Sequence, residues 1–360
     1  MKKYFITAKY KTRNSRRAKK IHSRNLKSKE KKKLIRKSYE GNSKIEVAEK
    51  KSLKGYTKIT APEKFSFTKY PEETIDFISK LERQYENRKK VFVNLSKIIE
   101  LDYSAIAILV SVMFTFKSRN IDFNGNFPEN FTLKKMLIDS DFFKYLNRPI
   151  GDKLEYSIGK KNQIFTRANK EVNSELGLVV MEEASQTIWN EKRICKGLQR
   201  TLLELMHNTN NHADENEKGV KHWWLSVNHN AKENKVSFVF IDYGVGIFES
   251  LKNKPPTNKW FGTFEKIATR VKYGTNDEVL KLLLNGDLHM TVTGEHFRGK
   301  GLPGIKQVQD RNQISNLHLI SNNVYSNVGE DKYQKLKNNF SGTFAYWELT
   351  KSNTNIEWTI

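Results

Sequence analysis

The chain has 360 residues, of which 37% are hydrophobic and 29% charged, and this length corresponds to about two domains. Its single cysteine, Cys195, excludes a disulfide framework and a cysteine-based zinc site and fits a reducing cytosol, and no N-terminal apolar stretch is typical of a signal peptide. The formal net charge is +24, and residues 1–54 carry +17 of it, with 21 Lys and Arg against 4 Asp and Glu.

Residues 1–54 form a basic arm that differs from the rest of the chain. Its central part, residues 11–40, contains neither Gly nor Pro and has no regular apolar stripe, which predicts a segment that is disordered or transiently helical when free. A segment with this charge attracts polyanions, and one interpretation is a contact with nucleic acid or the ribosome through neutralised phosphates. A solubilising tail is the alternative.

Strands and helices alternate over residues 55–148. The stretch 56–67 alternates like a strand, and Pro62 places it at a sheet edge or at a strand start. Residues 70–89 open with Pro71 and two acids, a pattern that favours the first turn of a helix.

The apolar run AIAILVSVMFTF, residues 105–116, is too short to cross a bilayer, which takes roughly 18–20 residues, and it predicts a buried core helix. Short strands are predicted on either side of it, at 90–96 and 121–128, and a further helix at 130–146. This order of strands and helices predicts a small α/β domain.

The strand VFVNLS at 91–96, the turn LDYSA at 101–105 and the apolar helix that begins near Ser104 resemble a STAS domain, the sulphate-transporter and anti-anti-sigma fold. Family members that act as phospho-switches carry Ser or Thr directly after the turn aspartate. Here Asp102 is followed by Tyr103. This departure puts phospho-switching in doubt, and it leaves a scaffold or a docking role toward a protein partner as the alternative.

Residues 149–192 are interpreted as the connection to a second domain, which spans residues 193–352. Within the connection, NQIFTRAN at 162–169 predicts a strand and residues 176–193 predict some helix.

The second domain begins with an apolar helical run, residues 197–213, that leads into a cluster of amides and histidines. Two strands, 221–230 and 234–247, are joined by the polar turn NAKEN and predict a hairpin. Trp223 and Trp224 in the first of these strands are expected to be sheet packing with one ring exposed, rather than a stacking platform.

A Gly-rich segment and two more strands complete the pattern. The hairpin ends in DYGVG at 242–246, FRGKGLPG at 297–304 opens a helix, and strands are predicted at 315–321 and 341–350. In this order, these segments resemble the boxes of the GHKL ATP-binding domain, found in type II topoisomerases, mismatch-repair ATPases, histidine kinases and anti-sigma serine kinases. The resemblance implies an α/β sandwich with a mixed sheet, so that the whole chain is of the α/β (α+β) class.

The resemblance also implies roles for individual residues. Asn208 supplies an amide oxygen to Mg²⁺, an ion that prefers oxygen ligands. Glu204 is one turn earlier on the same helix face, where a carboxylate can orient or deprotonate a water or hydroxyl. Asp242 accepts the adenine amino proton, and Gly244 and Gly246 let the backbone come close to the base.

The second glycine box is expected to contact the phosphates of ATP at the start of a helix. Its residues are Arg298, Gly299, Lys300, Gly301 and Leu302. Thr343 belongs to the closing strand. Residues 248–298 are predicted to be a lid over the triphosphate with Arg298 or Lys300 near it, and a permanently packed helical insert is the alternative.

Glu204 distinguishes this chain from sensor histidine kinases, because those kinases often carry Asn at this position and need a phospho-accepting histidine helix upstream. The expected function is a Mg-dependent, ATP-binding regulatory protein, a slow ATPase whose lid closure controls partner or nucleic-acid binding. A protein kinase of the anti-sigma partner-switching kind and a nucleotide-gated binding protein without turnover are the alternatives. A bacterial cytosol is the expected location, and a homodimer is left open.

Overall fold

In a computed structural model, the structure describes residues 55–140, 164–167, 172–212, 223–252, 275–287 and 301–353, with scattered positions between 12 and 28; at 164–167, 210–212 and 250–252 it describes the backbone alone. The chain divides into two units, residues 1–56 and 57–360. In the first unit, the described positions between 12 and 28 are helical. The contacts predicted for the basic arm stay predictions.

The region from residue 57 to 139 contains short parallel strands and three helices. Its elements are β1 (Thr57–Thr60), β2 (Lys64–Phe65), α1 (Pro71–Glu86), β3 (Val91–Asn94), β4 (Glu100–Leu101), α2 (Tyr103–Ser118), β5 (Phe123–Gly125) and α3 (Phe131–Asp139). The strands β1, β3 and β5 pair in that order, all parallel, and β2 pairs with β4 in a separate parallel ladder. The predicted alternation of strands and helices is confirmed here.

Helices α1 and α2 form for different reasons. Pro71 and the acids Glu72 and Glu73 occupy the first turn of α1, which then buries one apolar face. Helix α2 is apolar on every side and starts at Asp102, whose side chain accepts a hydrogen bond from the Ala105 N–H at 3.1 Å. A helix without a polar face is stable in water only when it is covered all round, so α2 is the buried core helix that the sequence predicts.

The second region contains a five-stranded sheet among the described residues. Its strands are β6 (Ile164–Arg167), β7 (Trp223–Asn230), β8 (Lys235–Asp242), β9 (Ser315–Asn327) and β10 (Lys332–Thr350), and its helices are α4 (Ser174–Trp189), α5 (Lys196–His212), α6 (Gly246–Lys252), α7 (Asn276–Asn285) and α8 (Gly301–Asp310). The sheet order is β6-β7-β8-β10-β9. Strand β6 and helix α4, which lie in the predicted connection, thus belong to this sheet and to its core.

Every pairing between the described strands of this sheet is antiparallel, so these strands do not form the mixed sheet predicted for the second domain. The reason is the position of β10. Strands β8 and β9 run in the same direction, but β10 returns from β9 as a hairpin and inserts between them. The parallel pairs of the chain lie in the first region instead, and the α+β class holds for the described part as a whole.

The antiparallel sheet buries apolar side chains on both faces. Trp223, Phe238 and Phe240 pack against the helices α4, α5, α7 and α8, while Trp224 and Ile241 belong to the core that includes α1 and α2. Both tryptophans are buried, with 0% and 3% of their surface exposed, so the expectation of one exposed ring is wrong. The reason is that both faces of the sheet are covered.

Helices α1 and α2 cover the second face of this sheet. Helix α1 contacts β1 and β10, and α2 contacts β5, β7 and β8. The Phe114 ring lies 5.3 Å from that of Trp224, and the Phe67 ring lies 4.5 Å from that of Phe344. The first region and one face of the sheet therefore share one core, and a second core lies on the other face. No helix in the described part of the chain is long and apolar enough to cross a membrane.

Candidate functional site

Asp242 lies at the end of β8 and faces Thr343 of β10 across the ladder. Its carboxylate accepts a hydrogen bond from the Gly244 N–H at 2.8 Å, and only 8% of the residue is exposed. Burial raises the pKa of Asp242 to about 6, although hydrogen bonds from Gly244 and Thr343 act in the opposite direction. No ion pair joins this carboxylate to a cation among the described residues.

Gly342 lets β10 come close to Asp242. Its φ is +120°, and a Cβ added there would lie 1.9 Å from the Asp242 carbonyl oxygen, so no other residue fits. The pairing of β9 with β10 is irregular on both sides of Phe340, between Lys335 and Thr343. On its other side, β10 pairs with β8 without interruption from Thr343, which lies directly opposite Asp242, to Thr350.

The loop after Asp242 is tied to β9 by two polar side chains. Ser321 Oγ accepts from the Ile247 N–H at 2.9 Å, and Asn322 donates to the Val245 carbonyl at 2.9 Å. Gly246 has φ +78°, and a Cβ added to it would lie 2.5 Å from the Asn322 amide oxygen. The sequence pattern did not predict Ser321 and Asn322, and the only signal for them is the polar run SNN inside an apolar strand.

Glu204 and Asn208 lie together on α5, as their spacing predicts, and both side chains are partly exposed. They face the first turn of α8. A Cβ added to Gly301 would lie 3.2 Å from Glu204 Oε2 and 3.4 Å from Asn208 Oδ1. Two oxygen-bearing side chains therefore meet the N-terminus of a ten-residue helix, whose free N–H groups favour anions.

Arg200 is a third polar residue of this face, and the sequence pattern did not predict it. It lies one turn before Glu204, and a Cβ added to Gly304 would lie 2.4 Å from its guanidinium. The sequence signal for Arg200 is its position four residues before Glu204. The same spacing separates Glu204 from Asn208 and places side chains on one face of a helix. A cation therefore lies beside the first turn of α8.

The structure brings the predicted site residues into two groups. One consists of Asp242, Gly244, Gly246 and Thr343, and the other of Glu204, Asn208, Gly301 and Leu302. The predicted phosphate contacts Arg298, Gly299 and Lys300 lie outside the described residues.

Of the predicted lid, the structure describes residues 248–252, at the end of α6, and residues 275–287, which include α7. Helix α7 buries Val279, Leu280, Leu283 and Leu284 in the core beside α8. Helix α6 buries Phe248 in the same core. Residues 253–274 and 288–298 lie outside the described part, and the lid stays a prediction.

Cys195 is buried, and burial raises the pKa of its thiol to about 12, so it is an inert core residue. Within the described ranges, no group of three or more His, Cys, Asp or Glu is placed to hold a metal ion. A cavity of about 290 Å³ lies between β1 and α1, but none of the predicted site residues lines it.

No model of a known protein family matches the chain, and no curated protein is significantly similar to it in sequence. The resemblances to STAS and GHKL domains therefore depend on the motifs and on the geometry described above. They remain predictions.

Proposed function

We propose that the chain binds ATP with Mg²⁺ and acts as a slow, regulatory ATPase. The observation that carries the proposal is Asp242, a buried carboxylate at a strand end that forms no ion pair with a cation among the described residues. Burying a charge without a partner is costly, and a ligand that donates an N–H to it would offset part of that cost.

The adenine amino group is a donor of this kind. In the proposed complex, Asp242 accepts its proton, and Thr343 lies beside it on β10. Gly244 and Gly246 keep the loop free of side chains that would obstruct the base. The buried position of Asp242 explains why this recognition would be stronger than at an exposed carboxylate.

The second group of residues suits a triphosphate and Mg²⁺. Asn208 offers an amide oxygen, a hard ligand that fits Mg²⁺, and the carboxylate of Glu204 lies beside it, where it can act as a base. This ion is often held by one or two protein oxygens and the phosphates of the substrate, which agrees with the small number of protein ligands here. The ion would neutralise phosphate charge, while the N-terminus of α8 and Arg200 favour the phosphates from the protein side.

Glu204 is the residue proposed to activate the attacking group. As a general base, its carboxylate takes a proton from water, and the products are ADP and phosphate. If the group is instead a hydroxyl of another protein, the same chemistry gives a protein kinase. The proposed output of turnover is a change in the binding of a protein partner or of nucleic acid.

The test is to incubate the full chain with γ-labelled ATP and Mg²⁺, with and without nucleic acid. Free labelled phosphate is the expected product. It should be lost in Glu204→Ala and retained in Glu73→Ala, a matched change at an exposed position of α1. Label on protein would instead favour the kinase, and bound, unsplit ATP would favour a binding protein without turnover. Absence of ATP binding would contradict the proposal.

A further inference from the structure

Tyr243, the residue after Asp242, connects the candidate adenine site to the first region. Its hydroxyl lies 2.6 Å from Ser111 Oγ in the middle of α2. The Ser111 hydroxyl donates its own proton to the Ile108 carbonyl at 2.8 Å. A serine hydroxyl has one proton, so Tyr243 is the donor in the contact between the two side chains.

The surroundings of Tyr243 come from three elements. Its ring packs on Phe340 of β10, with 6.0 Å between the ring centroids. Burial raises the pKa of the phenol, and the nearby charge of Glu82 on α1 acts in the same direction, so Tyr243 is a neutral donor. Burial likewise raises the pKa of Glu82, to about 7, with a contribution from Glu86.

The loop from Asp242 to Gly246 is therefore held from two sides. On one side, Asn322 of β9 donates to the carbonyl of Val245 in the loop, and Ser321 accepts from the N–H of Ile247, the residue after it. On the other side, Ser111 holds Tyr243. The position of the Asp242 carboxylate depends on both attachments, because one peptide unit separates it from Tyr243.

We propose that Tyr243 is a positioning residue for the nucleotide site, and that α1 and α2 control nucleotide affinity in cis through its hydrogen bond to Ser111. This inference rests on the proposed ATP site. When α2 holds Tyr243, the carboxylate of Asp242 stays where it meets the adenine amino group. By linkage, bound nucleotide stabilises the Tyr243–Ser111 contact by the same factor.

The consequence concerns regulation of the site. A protein partner that docks on the first region and shifts α2 would release Tyr243 and weaken nucleotide binding. Both α1 and α2 share a core with the antiparallel sheet, so a shift of either helix reaches the strands that carry the site. The first region is thereby a regulator of the second within one chain.

The experiment compares Tyr243→Phe, Ser111→Ala and the double variant by calorimetric titration with ATP and Mg²⁺. Each single change should weaken ATP binding about 3- to 10-fold, the effect of one hydrogen bond. The double variant should lose no more than the weaker-binding single variant, because both changes remove the same contact. The double variant leaves no buried hydroxyl of Tyr243 without a partner, so the test stays informative even if Ser111→Ala alone folds poorly.

The matched control is Tyr346→Phe, on the same face of the sheet. The Tyr346 hydroxyl bonds to Ser237 and Glu348 and not to the loop, so ATP affinity should stay unchanged. Hydrogen exchange supplies a readout that a purely structural role would not move. ATP should protect the amides of residues 103–118 in the parent, and this protection should disappear in Tyr243→Phe.

Three results would overturn the inference. They are an unchanged ATP affinity of Tyr243→Phe, equal losses in Tyr243→Phe and Tyr346→Phe, and protection of α2 that persists in Tyr243→Phe. A parent protein that binds no ATP would overturn the proposed function and this inference together. A parent that binds ATP alongside an unaffected Tyr243→Phe would overturn the inference alone.

Discussion

Asp102 in the first region and Asp242 in the second both lie at the end of a strand, but their carboxylates have different surroundings. Asp102 caps α2 and accepts hydrogen bonds from Ser66, Ser104 and the Ala105 N–H. Asp242 accepts hydrogen bonds from Gly244 and Thr343, but it is nearly fully buried, and burial still raises its pKa to about 6. The Asp102 carboxylate caps a helix and so stabilises the fold, whereas a buried carboxylate with a raised pKa at a strand end is a candidate for ligand binding.

The same contrast separates the two central helices. Helix α2 is apolar on every side and contributes mainly to the core, with Ser104 and Ser111 as its buried polar residues. Helix α5 buries Leu202 and Met206 on one face and turns Glu204 and Asn208 toward α8 on the other. We therefore expect changes in the first region to alter stability first, and changes on this face of α5 to alter chemistry first.

The largest expected effect comes from Glu204→Ala. Removing a general base should slow turnover by about 10²–10⁴-fold while ATP stays bound. Phosphate release in single-turnover assays, together with ATP titration, measures both quantities. Asn208→Ala should instead lose Mg²⁺-dependent binding. Parent-like turnover in both variants would mean that this face of α5 has no role in the chemistry.

The next largest effects are expected when Asp242 and Asp102 are replaced, and they differ between the two aspartates. Asp242→Asn should weaken ATP binding about tenfold or more, because an amide can present an N–H where the base needs an acceptor. It should also raise the free energy of unfolding at neutral pH by roughly 1–2 kcal/mol, because a buried charge disappears.

Asp102→Asn should change stability in the opposite direction. An amide cannot accept from all the donors that surround Asp102, so the free energy of unfolding should fall by about 1 kcal/mol while ATP affinity is unchanged. Denaturant unfolding and calorimetry of both variants make the comparison. If the two variants behave alike, the distinction between the two carboxylates does not hold.

The pH dependence follows from the raised pKa of Asp242. The folded state holds this proton more tightly than the unfolded state, so the stability contribution of Asp242 falls as pH rises from about 4 to about 6. ATP binding needs the ionised form, so affinity should drop about tenfold between pH 7 and pH 5. Titrations of the parent and Asp242→Asn over this range test it, and a pH-independent parent would refute the role of the carboxylate.

Ser104→Ala should likewise affect stability and not ATP binding. Ser104 is buried and accepts a hydrogen bond from the Phe67 N–H at 2.8 Å, so its loss should cost about 1–2 kcal/mol of unfolding free energy. ATP affinity should not change. A marked loss of affinity would show that the Asp102 cluster, and not only Tyr243, bears on the nucleotide site.

The sequence predicts the parts of this molecule that local patterns determine. The buried helix α2 follows from the absence of a polar face, and the shared face of Glu204 and Asn208 follows from their spacing. The position of Asp242 at a strand end follows from the change from apolar residues to glycines.

Features that depend on pairing between distant segments are not predicted. Strands β9 and β10 extend well beyond 315–321 and 341–350, because a polar stretch becomes a strand when it has a hairpin partner. The tertiary structure inserts β10 between β8 and β9 and covers both faces of the sheet. No local sequence pattern encodes either feature. Arg200 and Ser321 become candidate site residues only because the fold places them next to the other site residues.

The most direct test of the central claim is calorimetric titration of the parent chain with ATP and with GTP, both with Mg²⁺. Adenine presents an amino donor where guanine presents a carbonyl acceptor, and a carboxylate at Asp242 should attract the first and repel the second. The account predicts that ATP binds at least about tenfold more tightly than GTP, the value of one charged hydrogen bond. Equal affinity for the two nucleotides, or no binding of ATP, would contradict it.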